Sequence, residues 1–322
     1  MKRNISLDLI KIVAMYSVMA LHIGFAIHIP HCFLARYWWS LFGVAVPLFF
    51  MVSGYLMESK TTVSFKYSLR KVFGILKYVF ITMTPFVFYE LVKGNLNGLK
   101  YYYSWIRQGS PLSIYWFFAA MIIVYLLLPS WKRLMNGKYS RLSLILLFFI
   151  CQAVFVLNVL FGFEKTYTYQ AFRIWNWLFY FSLGMLVKRY QDKFNGINLI
   201  HMALACMAFL VFRRVFSGLI GNEYFYCSIP NMAYVLCLFV CLYKIRLGPT
   251  GEKAISELST LFLPVYTIHW PIFLFCMAHG IRIDLPEPNL FIIMNYLVLA
   301  IVITLFSLLL VRLPVLKTVF RL

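Results

Sequence analysis

Long apolar stretches, each closed by a short polar or aromatic connection, repeat along the whole 322-residue chain. They fall at about 5–29, 38–57, 72–93, 114–129, 142–161, 172–187, 197–212, 226–243, 258–278 and 290–311. A helix needs about 20 mainly apolar residues to cross a bilayer. The pattern therefore predicts an all-α, polytopic transmembrane helix bundle of about ten spans, with the fourth, sixth and seventh short for a crossing. Pro47, Pro85, Pro264 and Pro271 fall inside spans, which a bundle tolerates because neighbouring helices satisfy the freed carbonyls. The connections are short, so the expectation is a single integral membrane domain over 1–322 with no separate soluble domain. No internal repeat and no inverted pair of broken helices is evident.

The first span departs from the apolar pattern. Ile5 to Ile29 carries Asp8, Lys11 and His22, and at about 100° per residue these three share one stripe, filled in by Met15 and Val18. Ionisable groups inside a membrane are costly and face protein or water rather than lipid. A polar contact between helices would explain one lone histidine, whereas three such groups on one stripe point to a site. In depth, Lys11 lies near one end of the span and His22 about 16 Å further along. The third span repeats this order, with Arg70 and Lys71 just before it, Lys77 inside it and Glu90 near the far end. His269 falls near the middle of the ninth span. Positive-inside bias and snorkelling account for any one of the lysines or arginines taken singly.

Composition agrees with the membrane reading: 63% of residues are hydrophobic, 12% are charged and the mean hydropathy is +0.82. The net charge of +20 does not point to nucleic acid, because the basic residues alternate between loops. One set of loops carries Lys2, Arg3, Lys60, Lys66, Lys132, Arg133, Lys188, Arg189, Lys317, Arg321 and others, and the opposite set carries about half as many. The positive-inside rule then places both termini in the cytoplasm. The seven cysteines show no C-x-x-C or Cys/His spacing, so no metal site and no disulfide framework is expected. Tyr37-Trp38-Trp39, Trp175 and Trp177 fit aromatic belts at the interfaces.

Basic groups at the inner mouth with a histidine deeper and further out suit a polyanionic ligand entering from the cytoplasm. Lysine and arginine bind phosphate by charge and hydrogen bonds, and histidine removes a hydroxyl proton near neutral pH.

Several phrases carry a resemblance that covers nearly the whole chain. They are Lys11 and His22 with ten residues between them, Phe49-Phe50-Met51-Val52-Ser53-Gly54-Tyr55-Leu56, Tyr115-Trp116-Phe117-Phe118, Phe181-Ser182-Leu183-Gly184-Met185, and Tyr266-Thr267-Ile268-His269-Trp270-Pro271. In this order the chain resembles the acyltransferase 3 family, membrane-embedded O-acyltransferases that decorate bacterial surface polysaccharides. It departs from the family at an R-x-x-R pair before the third helix, where Arg70 has Tyr67 and Phe73 at the flanking positions and Lys66 and Lys71 nearby.

The resemblance implies transfer of an acyl group, expected to be acetyl, from cytoplasmic acyl-CoA to a glycan hydroxyl, as in O-antigen or lipopolysaccharide modification at a bacterial inner membrane. Acetyl-CoA would be a donor substrate rather than a permanently bound cofactor, and the partners would be the donor, a surface or lipid-linked glycan and the bilayer. His22 would activate the acceptor hydroxyl or carry the acyl group transiently. Lys11, Arg70 and Lys71 would hold the donor phosphates, Asp8 would fix Lys11, and Ser53-Gly54-Tyr55 would let backbone approach the donor. Glu90 is expected to orient His22 or bind acceptor hydroxyls. Trp116 is expected to stack on a sugar. His269 reads equally as a second, acceptor-side group or as a helix-contact histidine. Two other classes fit the same ionisable residues: a transporter with a polar pathway, and a non-catalytic partner in a glycan-assembly complex.

Overall fold

The computed structural model describes residues 3–108, 113–220, 226–313 and 319–320 and is helical throughout, with no strand among the described residues. Lys2, Lys317 and Arg321, which contributed to the orientation argument, lie outside them. The main helices are α1 (Ile5–His22), α2 (Phe33–Phe42), α3 (Ala45–Glu58), α4 (Phe65–Val92), α5 (Trp116–Asn136), α6 (Ser140–Phe161), α7 (Ile174–Arg189), α8 (Leu199–Ile220), α9 (Ile229–Lys244), α10 (Pro249–Leu258), α11 (Phe262–His279) and α12 (Pro288–Leu310). Seven helical stretches among the described residues are long and apolar enough to cross a membrane: Ile5–Phe25, Phe33–Glu58, Phe65–Val92, Ser113–Asn136, Ser140–Phe161, Pro249–His279 and Pro288–Leu310. The other three segments expected as spans are α7, α8 and α9.

Two of the segments that looked short for a crossing are longer in the structure. The fourth continues through Pro129 to Asn136, making α5 21 residues long, and the seventh forms the 22-residue α8. Lys132 and Arg133 near the end of α5, and Arg213 and Arg214 two turns before the end of α8, interrupt the apolar runs and hid these lengths. The sixth, α7, is short at 16 residues.

The side chains sort the helices into centre and rim. Most of α1 and α3 is buried, whereas α6 and α12 expose rows of leucine, isoleucine, valine and phenylalanine. Such rows suit a lipid-facing surface, where apolar side chains lose nothing by exposure. At the centre α3 crosses α7 at a distance only glycine allows. A Cβ on Gly54 would lie 1.8 Å from the carbonyl oxygen of Phe181, and one on Gly184 would lie 1.9 Å from that of Met51. Small residues let helix backbones approach closely in membranes, and here each glycine faces the residue one turn before the other glycine, reciprocally across one seam.

Polar contacts fix the remaining joints. Glu58 at the end of α3 accepts from Lys132 Nζ of α5 at 2.5 Å and from Arg189 Nε of α7 at 2.7 Å. The α2–α3 break falls at Gly43, where a Cβ would stand 2.2 Å from Nη2 of the buried Arg213. Two tryptophans expected in interfacial belts are inside the bundle instead. Trp38 donates to the Ala20 carbonyl at 2.7 Å and Trp177 to that of Gln170 at 2.7 Å, so each buried indole N–H has an acceptor. The first of these bonds holds the end of α1 just before His22.

Candidate functional site

The α-helical repeat places Tyr67, Arg70, Lys71, Gly74, Lys77, Tyr78 and Ile81 on one face of α4, about one turn apart. That face lines a cavity of about 970 Å³, bounded on its other sides by Lys11 of α1, Phe49, Val52, Ser53 and Leu56 of α3, Phe117, Phe118, Met121 and Tyr125 of α5, and Ser259, Thr260, Phe262 and Leu263. Ligand pockets run to roughly 300–1,000 Å³, so this one is at the large end. Among the described residues four cations, Lys11, Arg70, Lys71 and Lys77, stand on its wall, and no carboxylate does. Among the described residues only Lys11 of these four has an ion-pair partner: Asp8, at 3.1 Å. Asp8 itself is buried, accepts also from Arg3, and lies behind Lys11 rather than on the wall. A concave, partly apolar surface with unneutralised cations attracts an anion.

Some of the residues expected at a donor site line this cavity and others do not. Lys11, Arg70, Lys71 and Ser53 line the cavity, with Asp8 holding Lys11. Gly54 and Tyr55 face the other way. Gly54 belongs to the α3–α7 seam, and the Tyr55 hydroxyl lies 2.8 Å from that of Tyr243 and 3.0 Å from Gln191 Oε1. Lys77 and Tyr67 complete the face. The signal for Lys77 was present in the sequence, because it follows Arg70 by seven residues, two helical turns. Phe73, at the other position of the missing arginine pair, is exposed on the bundle's outside.

Beyond the cavity, near the far end of α1, is a pair of histidines. Nδ1 of His22 is 3.0 Å from Nε2 of His269, and the two rings are nearly parallel, at 7°. His269 is fully buried, and its Nδ1 is 3.1 Å from the carbonyl oxygen of Val265 one turn earlier on α11. A carbonyl only accepts, so this nitrogen carries the proton. Nε2 of a singly protonated His269 then accepts, and Nδ1 of His22 donates to it. That chain of bonds leaves Nε2 of His22 with a free lone pair, as second-partner orientation does for a catalytic histidine generally. His22 is half-buried. Trp270 packs edge-on at 5.3 Å, and Phe25, itself well exposed, lies 6.2 Å away.

The structure therefore joins His22 and His269, which the sequence could only place separately in depth. Glu90 is not part of this pair. Its carboxylate accepts from Asn95 Nδ2 at 2.6 Å, and its methylenes pack on Gly98 of the following turn. Trp116 packs against Trp177 at 5.3 Å inside the bundle, a place that offers no face to a sugar.

A second polar cluster sits where the α6–α7 connection folds back. Glu164 accepts from Asn158 at 2.9 Å, Trp175 at 2.8 Å and Asn176 at 3.1 Å, with Arg173 4.0 Å away. Burial pushes its carboxyl above the ordinary range, and Arg173 and the three donors draw it back only in part.

The family described as an acyltransferase domain, acyltransferase 3, matches residues 4–312, and the chain belongs to that family. No curated protein and no solved structure matches it. Family and helices together make it a membrane acyltransferase.

Proposed function

We propose that this acyltransferase takes its acyl group, acetyl in the simplest case, from an acyl-CoA held in the cation-lined cavity and passes it to a glycan hydroxyl at His22. The observation that carries the reading is the cavity wall, with four cations and no carboxylate among the described residues. A nucleotide-bearing thioester supplies the complementary charges, and the apolar part of the cavity lining suits its uncharged arm. The excess of basic residues on that face, by the positive-inside rule, favours the cytoplasm as the side of donor entry, with ten crossings of the bilayer.

In this reading the free Nε2 of His22 takes the proton of the acceptor hydroxyl as its oxygen attacks the thioester carbonyl. The C–S bond breaks, the thiolate leaves, and the proton returns to sulfur as coenzyme A departs. His269 keeps the ring in the productive tautomer. If His22 carries the acyl group transiently instead, the same lone pair attacks first, and a His22 peptide would then show one acyl increment in mass. The exposed Phe25 and the Trp270 edge flank His22 and suit the apolar face of a sugar. A polysaccharide at a bacterial surface, O-antigen type, fits this arrangement.

Mass spectrometry of surface glycans from cells with the wild-type protein, with His22→Ala or with no protein tests it. An acyl increment confined to the wild type is expected. Equal acyl content in all three would overturn the glycan reading. A transporter would instead move solute in proteoliposomes without any acyl donor.

A further inference from the structure

The cavity and the histidine pair do not connect. Neither His22 nor His269 lines the cavity, and along α1 the route between Lys11 and His22 is closed by the buried Met15 and Val18. On the α11 side, Phe262, Tyr266 and His269 follow one another at helical spacing, so one face of that helix runs from the cavity to the pair. Phe262, Phe117 and Phe118 line the cavity. Directly behind them stands the ring of Tyr266, its centre 6.0 Å from that of Phe117, 5.2 Å from Phe118 and 5.9 Å from Phe262. On its opposite side the same ring lies 5.8 Å from His269. The Tyr266 hydroxyl donates to the Ile114 carbonyl, which pins the ring in place. Wall phenylalanines and then Tyr266 thus stand between the donor cavity and the histidine pair, with His269 the nearer member of the pair.

Resting on the acyl-CoA reading above, we infer that Tyr266, backed by Phe117, is the passage the acyl group crosses to reach His22, and that this passage sets the acyl length. Turning one ring aside opens a space of about that ring's size. Its neighbours are themselves buried and packed ring on ring, Phe117 against Phe118 at 5.5 Å. Packed interiors yield extra volume reluctantly, so an acyl thioester that outgrows the space of one turned ring must displace a second. A close-fitting apolar wall discriminates by about 10- to 200-fold per methylene. No bond is made or broken in the passage; the transfer chemistry stays at His22.

The test uses membrane vesicles from cells making the full chain, supplied in turn with radiolabelled acetyl-, propionyl-, butyryl- and hexanoyl-CoA. Label is then counted in the glycan fraction. Wild type should transfer acetyl best and fall about tenfold or more with each added methylene. Tyr266→Ala and Phe117→Leu should raise the butyryl-to-acetyl ratio at least about tenfold, whereas Tyr266→Phe, which keeps the ring, should hold the wild-type ratio. Phe117→Leu changes the core least and carries the test if Tyr266→Ala does not reach the membrane. An unchanged ratio in Phe117→Leu or Tyr266→Ala protein that still transfers acetyl would overturn the inference and leave the proposed function standing. Failure of the wild type to transfer any of the four acyl groups would overturn both.

Discussion

Replacing His269 with leucine removes its bonds to His22 and to the Val265 carbonyl at little cost in volume. The contact that bears on His22 is the 3.0 Å bond between His22 Nδ1 and His269 Nε2. A neutral hydrogen bond of this kind is worth about 0.5–1.5 kcal/mol net, which alone lowers the population of correctly oriented His22 by roughly 2- to 13-fold. If the freed ring also swings by an ångström, the loss approaches about 100-fold. The expected fall in kcat therefore lies between those bounds. It is smaller than the roughly 10²–10⁴-fold expected for removing the base itself in His22→Ala. The KM for acyl-CoA should not move, because His269 does not line the donor cavity. His269→Gln, whose side-chain oxygen can accept from His22 Nδ1, should recover part of the lost kcat. The assay is steady-state acyl transfer by protein in nanodiscs, with protein recovery and thermal midpoint measured alongside. Wild-type kcat in His269→Leu, a change confined to KM, or glutamine performing no better than leucine would refute the orienting role.

The cavity cations should report the opposite pattern. Arg70→Ala, Lys71→Ala and Lys77→Ala are each expected to raise the donor KM by about 2- to 13-fold, from about 0.5–1.5 kcal/mol per partly exposed charge, with little change in kcat; donor affinity of the wild type should fall with added salt, and salt-independent affinity would contradict the assignment. Gly54→Ala brings a methyl to 1.8 Å from the Phe181 carbonyl oxygen, so α3 and α7 must part, and a lowered thermal midpoint corresponding to about 1–3 kcal/mol is expected. Glu164 gives a pH signature. Its folded carboxyl titrates above the unfolded one because it is buried, so the folded state holds the proton more tightly and this group's contribution falls as pH rises through that window. Relative to Glu164→Gln, the wild type should gain stability as pH is lowered from neutral, and a constant difference between the two would show the carboxyl unperturbed.

Much of the bundle was legible because membrane spans are written in composition. The long apolar runs marked the helices, and the polar stripe on α1 marked the face that carries Lys11 and His22. What the sequence hid was which helix faces which. Glu90 lies near the end of its span as depth predicted, yet a loop asparagine takes its carboxylate, and depth along one helix says nothing of rotation toward another. Gly54 read as a backbone approach to a ligand because glycine permits any close approach; only the fold shows that Phe181 makes it. Trp38 and Trp177 read as interfacial aromatics and Trp116 as a sugar-stacking face, but each finds a partner inside. His269 could not be paired with His22 from sequence, since 247 residues separate them. Lys77 was legible by its spacing from Arg70 and becomes a wall residue once the cavity is seen.

In the proposed mechanism the donor binds at one face and the histidine pair works beyond it. Sealed vesicles of each orientation, given labelled acetyl-CoA outside only, separate the two faces. Label should reach glycan only when Lys11, Arg70, Lys71 and Lys77 face the added donor, and His22→Ala should abolish it. Transfer from the opposite face, or undiminished transfer by His22→Ala, would contradict the account.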